Sequence, residues 1–332
     1  MTDLGTTAAI FGCLGPTLLP QEKAFFRDAA PFGFIVFARN VETPDQLYRL
    51  TSDLRAAVGR DALVQIDQEG GRVQRLRSPH WRDWTPPLDA IAAAKNLAAA
   101  CRIMALRASL IASELRAVGI DANCAPVADI ATDATHPFLR NRCYGTEAAS
   151  VTAIARAVAA AYLAGGVLPV VKHMPGHGRA AGDSHLDLPT VTTDAATLNT
   201  TDFAPFRALA DLPMAMTAHI VFNAYDATNP ATQSSRMIEV IRTDIGFQGL
   251  LMTDDLNMQA LSGSLADRTA KSIRAGCDIA LHCKGDMAEM RAVAVAAGPM
   301  GSDTLARARR AMALRSSPTI DIAALEAALA DA

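Results

Sequence analysis

No CxxC pair occurs in the 332-residue sequence, no GxGxxG follows its first apolar run, and no apolar stretch approaches a membrane span. Each absence removes a class of protein. The six cysteines (13, 101, 124, 143, 277, 283) are scattered without metal-type spacing, which fits thiols in a reducing compartment. Without the glycine fingerprint, a doubly wound dinucleotide-binding sheet is disfavoured. The Ala-rich segment at 90–100 is interrupted by Lys95 and Asn96, so no membrane partner is expected. No basic residue precedes the first apolar run, so no secretory signal is expected either. A net charge of −3 and a pI near 6.2 leave no basic footprint for nucleic acid. A soluble cytoplasmic protein, monomeric or weakly dimeric, is the expectation.

What is present is a regular alternation. Half of the residues are hydrophobic, enough for a large core. Ala8–Leu14, Phe34–Phe37, Ala62–Ile66, Ile120–Val127, 167–171, Met214–Thr217, Leu250–Met252 and Asp278–Leu281 read as eight strands. Pro169 counts against the fifth, because proline cannot donate to a ladder. Helical patterns fill the intervals, at roughly 19–30, 44–59 and 89–118. In the last of these Met104, Ala108, Ile111, Leu115 and Val118 form one apolar face. Thr146 is a candidate cap for the next helix, which Gly165–Gly166 would stop. One or two helices should occupy 302–331. With no linker or composition break, residues 1–332 are expected to form a single (β/α)8 barrel domain with extra C-terminal helices.

In such a barrel all strand C-termini share one rim, where active sites of this fold sit. Asp67, Asp129, Lys172–His173, His219 and Asp254–Asp255 each follow a strand. Asp67 opens DQEGGRVQR, where a turn at Gly70–Gly71 should bring Arg72 and Arg75 back to the rim. A carboxylate beside guanidinium donors suits a polyhydroxylated ligand, although an ordinary ion pair looks the same in sequence. The richest stretch is VLPVVKHMPGHGRAAGDSHLDLP at 167–189, which places His173, His177 and His185 within thirteen residues. Asp183 and His185 are two apart, so both side chains can point the same way, and a carboxylate raises the basicity of an adjacent imidazole. Asp254, at the end of an apolar run, could be nucleophile, base or metal ligand. Asp255 is its rival; alternation along a strand lets only one of them face the mouth, and Asp255 is expected to cap the following helix.

Three segments, IDQEGGRVQRL, KHMPGHGRAAGDSHLDLP and LMTDDLNM, together resemble glycoside hydrolase family 3. Within it they are similar to the single-domain bacterial β-N-acetylhexosaminidases of cell-wall recycling. FARNVETPDQL and SELRAVGIDANCAPVAD extend the likeness over nearly the whole chain. The resemblance implies Asp254 as nucleophile, His185 as acid/base and Asp183 as its partner. It also implies Asp67, Arg75, Arg142, Lys172 and His173 as sugar-binding residues, with a GlcNAc-terminated muropeptide as substrate and neither cofactor nor metal. Arg142 stands in NRCYG, where relatives more often carry Ser than Cys at 143, and Arg179 is given no role. Larger family members draw a Glu from a second domain for acid/base work; here the barrel's own His185 is expected to serve. Three rivals remain: a phosphorylase on the same sugars, a metal-dependent barrel hydrolase using His173, His177, His185, His219 and Asp254, and a non-catalytic sugar-binding barrel.

Overall fold

A computed structural model describes residues 3–180, 182 and 187–332 of the chain, so Asp183 and His185 lie outside the described residues. Among the described residues there are ten strands: β1 (Thr7–Gly12), β2 (Pro31–Val36), β3 (Leu63–Ile66), β4 (Ala122–Asn123), β5 (Leu168–Met174), β6 (Thr190–Val191), β7 (Met214–Thr217), β8 (Val221–Phe222), β9 (Leu250–Asp255) and β10 (Ile279–His282). Eight of them close a parallel barrel in the order β1-β2-β3-β4-β5-β7-β9-β10, while β6 and β8 pair separately. All eight expected strands are therefore barrel strands.

Their sequences explain this. Short runs such as AAIFG and LVQI are buried over their whole length, as strands covered on both faces must be. Pro169 is tolerated for a local reason. The Leu168, Val170 and Lys172 amides donate to the Asp121–Pro126 segment. Alternation turns position 169 to the other edge, where pairing with β7 begins only at Val170↔Met214.

The flanking helices carry the end signals their sequences promise. In Pro44–Val58 the Thr43 hydroxyl accepts from the Gln46 amide, Pro44 opens the first turn, and Gly59 closes the helix at φ 66°. The pattern over 89–118 is two helices, Pro87–Ala92 and Leu97–Ala117, because the Asn96 side chain caps the second through the Ala99 amide. Its expected face, Met104 to Val118, is buried. Thr146 does not cap the next helix, Ala148–Ala164; Glu147 occupies that position without a side-chain bond. Two terminal helices follow β10 and its helix, Ser302–Met312 and Ile322–Ala330, and the latter packs on Leu97–Ala117. Among the described residues no helix is long and apolar enough to cross a membrane.

At the N-terminal end of the barrel, carboxylates that precede strands are fully engaged. Asp121 accepts from the Val64 amide, from Arg55 and from Arg315 at 2.8, 3.3 and 2.7 Å. Asp278 takes the Leu251 amide, Arg242, Arg307 and the Thr304 hydroxyl, all within 2.9 Å.

Candidate active site

The loop after β3 is folded back on itself by its glycines. The Glu69 and Gly70 amides both donate to Val73 O, and Gly70 sits at φ 91°. A Cβ at Gly70 would lie 1.8 Å from Arg107 Nη2, which donates to Glu69 O. Only glycine fits there. Gln68 then holds the returning strand, accepting from the Arg75 and Leu76 amides at 2.7 and 3.0 Å. Arg75 thus comes back to Asp67, Nη2 to Oδ2 at 3.1 Å. Arg72 does not; it is exposed and lies 4.1 Å over the Phe138 ring.

Behind Asp67 a charge network is buried. Lys172 Nζ bridges Asp67 Oδ1 at 2.8 Å and Glu69 Oε1 at 2.6 Å. Arg142 forms a two-pronged pair with Glu69, Nε to Oε2 at 2.9 Å and Nη2 to Oε1 at 2.8 Å. Burial alone would raise the Asp67 carboxyl; Lys172 and Arg75 outweigh it and hold Asp67 well below the usual carboxylate range. Arg142 and Lys172 do the same for Glu69. Burial would strip the Lys172 ammonium, yet Asp67 and Glu69 hold its proton well above the ordinary lysine range. All members are therefore charged. Glu69 was not singled out from the sequence; its position two residues past Asp67, on the same side of an extended chain, was the available signal.

β5 ends in a bulge. Val171 pairs with Ala215 but Met174 with Thr217, so three residues of β5 span two of β7. The extra residue lets neighbours Lys172 and His173 both face the barrel mouth, and their peptide is cis. His173 Nδ1 lies 2.7 Å from Asp129 Oδ2, and Arg142 Nη2 approaches Nε2 at 3.4 Å. Asp129 also receives the His177 amide at 2.7 Å, and the His177 ring meets His173 edge-on. Desolvation, with His173 beside it, pushes the His177 ring down to about 4, so it is neutral.

β9 repeats the device. Ile279 pairs with Met252 but Leu281 with Asp255, again one extra residue on the strand that carries the site. Asp254 and Asp255 consequently both line the mouth, which corrects the alternation argument. Asp255 caps no helix either; the next one, Leu265–Ala275, is capped by Ser264 with Asp267. Instead Asp255 Oδ1 accepts from the Asn257 and Cys283 amides, tying β9 to the end of β10. Burial drives the Asp254 carboxyl up, but the His173 and His219 rings, the Asp255 amide and Lys172 together bring it below the ordinary value. Asp255 goes the other way, raised by burial and by Asp254. His219 stays outside the mouth. Its Nε2 lies 3.1 Å from Asp255 O and its Nδ1 2.7 Å from Thr232 Oγ1, so the ring supports the strand end.

The cavity so formed has a volume near 140 Å³. β3 and β9 are four strands apart in the ring of eight, so Asp67 and Arg75 face Asp254 and Asp255 across it, with Lys172, His173 and Arg142 on the wall between. The structure brings Asp67, Arg75, Arg142, Lys172, His173 and Asp254 together around one cavity and leaves Arg72, Asp129 and His219 out of its lining. For the metal reading, His173 and His219 have both ring nitrogens engaged by protein groups, and among the described residues no cluster of three His, Cys, Asp or Glu could hold an ion.

Eight parallel strands with a fixed charged clamp facing two carboxylates at their C-terminal rim put this cavity where barrel enzymes carry their active sites. Residues 21–310 match the glycosyl hydrolase family 3 N-terminal domain. A β-hexosaminidase of Methylococcus capsulatus is 37% identical over 281 residues, covering 82% of each chain. The crystal structure of native NagZ from Neisseria gonorrhoeae superposes with a TM-score of 0.88 at 29% identity, over 99% of this chain and 98% of that one. The same enzyme in complex with N-trifluoroacetyl-D-glucosamine gives 0.87 at 28% identity, over 100% of this chain and 98% of that one. The chain belongs to glycosyl hydrolase family 3 and is a glycoside hydrolase.

Proposed function

We propose that the enzyme is a retaining exo-β-N-acetylglucosaminidase that removes terminal β-linked N-acetylglucosamine from muropeptides in peptidoglycan recycling. One observation carries the catalytic half of this reading. Asp254 lines the cavity and is held ionised, yet among the described residues its only bonded partner is the Asp255 amide at 2.8 Å. An ionised carboxylate without a bound cation is available to attack an anomeric carbon. The family and the β-hexosaminidase relatives support the sugar and the bond.

In this mechanism Asp254 displaces the leaving oxygen and forms a glycosyl ester, while His185, as imidazolium, protonates that oxygen. Neutral His185 then takes the proton of a water that hydrolyses the ester, and Asp183 orients the ring. Both residues lie outside the described segment, and their roles rest on the motif PGHGRAAGDSH. Asp67, Arg75, Arg142, Lys172 and His173 would hold the sugar. Hydroxyls both donate and accept, and this wall offers carboxylate acceptors beside fixed cationic donors. All six cysteines are unpaired, in keeping with the proposed cytoplasmic setting. The chain would act as one catalytic domain.

The test is hydrolysis of p-nitrophenyl β-N-acetylglucosaminide against the plain β-glucoside, each with and without phosphate. Preferred, phosphate-independent release from the first supports the reading. Turnover of neither would sink it, and strict dependence on phosphate would make the enzyme a phosphorylase.

A further inference from the structure

The proposed mechanism uses one of two carboxyls that the β9 bulge turns into the cavity. The other is held in a defined pose. Asp255 Oδ1 takes the Asn257 amide at 3.1 Å and the Cys283 amide at 3.2 Å. Among the described residues nothing bonds its Oδ2, and no cation pairs with it, although the residue lines the cavity. Tying β9 to β10 needs only one acceptor oxygen. A carboxylate that lines the cavity with one oxygen uncommitted can accept a hydrogen bond from a ligand held there.

Adjacent Cα atoms are about 3.8 Å apart, so a ligand whose reacting carbon meets Asp254 presents a neighbouring ring position to Asp255. The anomeric carbon has two ring neighbours. One is the ring oxygen, which has no proton to give. The other carries the 2-substituent, an acetamide N–H or a hydroxyl, and both of these donate. We infer that Asp255 Oδ2 is a substrate-contact group that receives the hydrogen bond of the substituent on the carbon next to the anomeric carbon. This rests on the glycosidase reading above and adds a specificity-determining residue to it.

The experiment is a cycle of three p-nitrophenyl glycosides, 2-acetamido, 2-hydroxyl and 2-deoxy, on the wild type, Asp255→Asn and Asp255→Ala. Asn keeps an oxygen for the two amides and removes the second acceptor. A hydrogen bond to a charged group is worth roughly 10–100-fold. Both variants should therefore lose about that factor in kcat/KM on the 2-acetamido and 2-hydroxyl substrates, with much less lost on the 2-deoxy one. A merely structural tie would lower all three by the same factor, which would overturn the assignment. If Asp255→Ala does not fold, Asp255→Asn decides by the same comparison: a loss concentrated on the 2-acetamido and 2-hydroxyl substrates supports the contact, and an equal loss on all three contradicts it. Wild-type turnover of none of the three would instead defeat the glycosidase reading itself.

Discussion

The two ends of the barrel use the same residue types to opposite effect. At the N-terminal end Asp121 and Asp278 stand just before their strands, and each has a donor on both oxygens. Nothing is left over for a ligand. At the C-terminal end Asp254 and Asp255 each have one oxygen engaged by backbone amides and no cation partner among the described residues. A saturated carboxylate is structural; one with an open oxygen in a cavity is available for chemistry. The intermediate case is Asp67, held by Lys172 and Arg75 but still lining the mouth.

Substitutions that break this contrast should separate activity from stability. Asp254→Ala should lose activity on the order of 10⁴-fold or more while the melting temperature hardly moves. Added azide should then yield the α-glycosyl azide. Asp121→Ala should do the reverse, costing about 1–3 kcal/mol because the buried Val64 amide loses its acceptor while Arg55 and Arg315 keep only the exposed Asp61, with turnover per folded molecule retained. Equal effects of the two on both readouts would erase the distinction.

His185→Ala should cost ~10²–10⁴-fold with a poor leaving group and far less with an activated one that needs no proton. Asp183→Ala should show the same dependence more weakly. Losses independent of the leaving group would assign both residues to binding.

Acid sharpens the comparison. Asp67 and Glu69 are held below their ordinary values, so the stability they contribute is present above the unfolded carboxylate range, about 4, and is lost as the pH falls below it through their lower native values. Asp121 has the opposite sign. Burial outweighs Arg315 and Arg55 and raises it, so its cost is present at neutral pH and is relieved on acidification. Melting curves between pH 6 and pH 3, a range chosen to span about one unit either side of that value, should flatten in Asp67→Asn and should not flatten in Asp121→Asn. The smallest expected effect is that of exhaustive chelation, which should leave activity intact; loss restored by zinc would favour a metal-dependent hydrolase.

The strands were legible because each is a short apolar run, and the rim was legible because a polar residue follows nearly every run. What escaped lies where chain geometry departs from regular repeats. Alternation predicted one aspartate of the Asp254–Asp255 pair in the mouth, but a bulge places both there, and no local composition announces it. Glu69 sits in a turn whose shape depends on Arg107 donating to Glu69 O, a contact across 38 positions; the one local signal was its place two residues past Asp67. The 89–118 helix was split by Asn96, already noted as an interruption but not as a cap.

The most direct measurement is a covalent label. A slow N-acetylglucosaminyl fluoride carrying a second fluorine on the ring should trap the glycosyl ester, and mass spectrometry of peptides should find it on Asp254 alone. An adduct on Asp255, or a normal substrate whose first product is the α-anomer, would contradict the account.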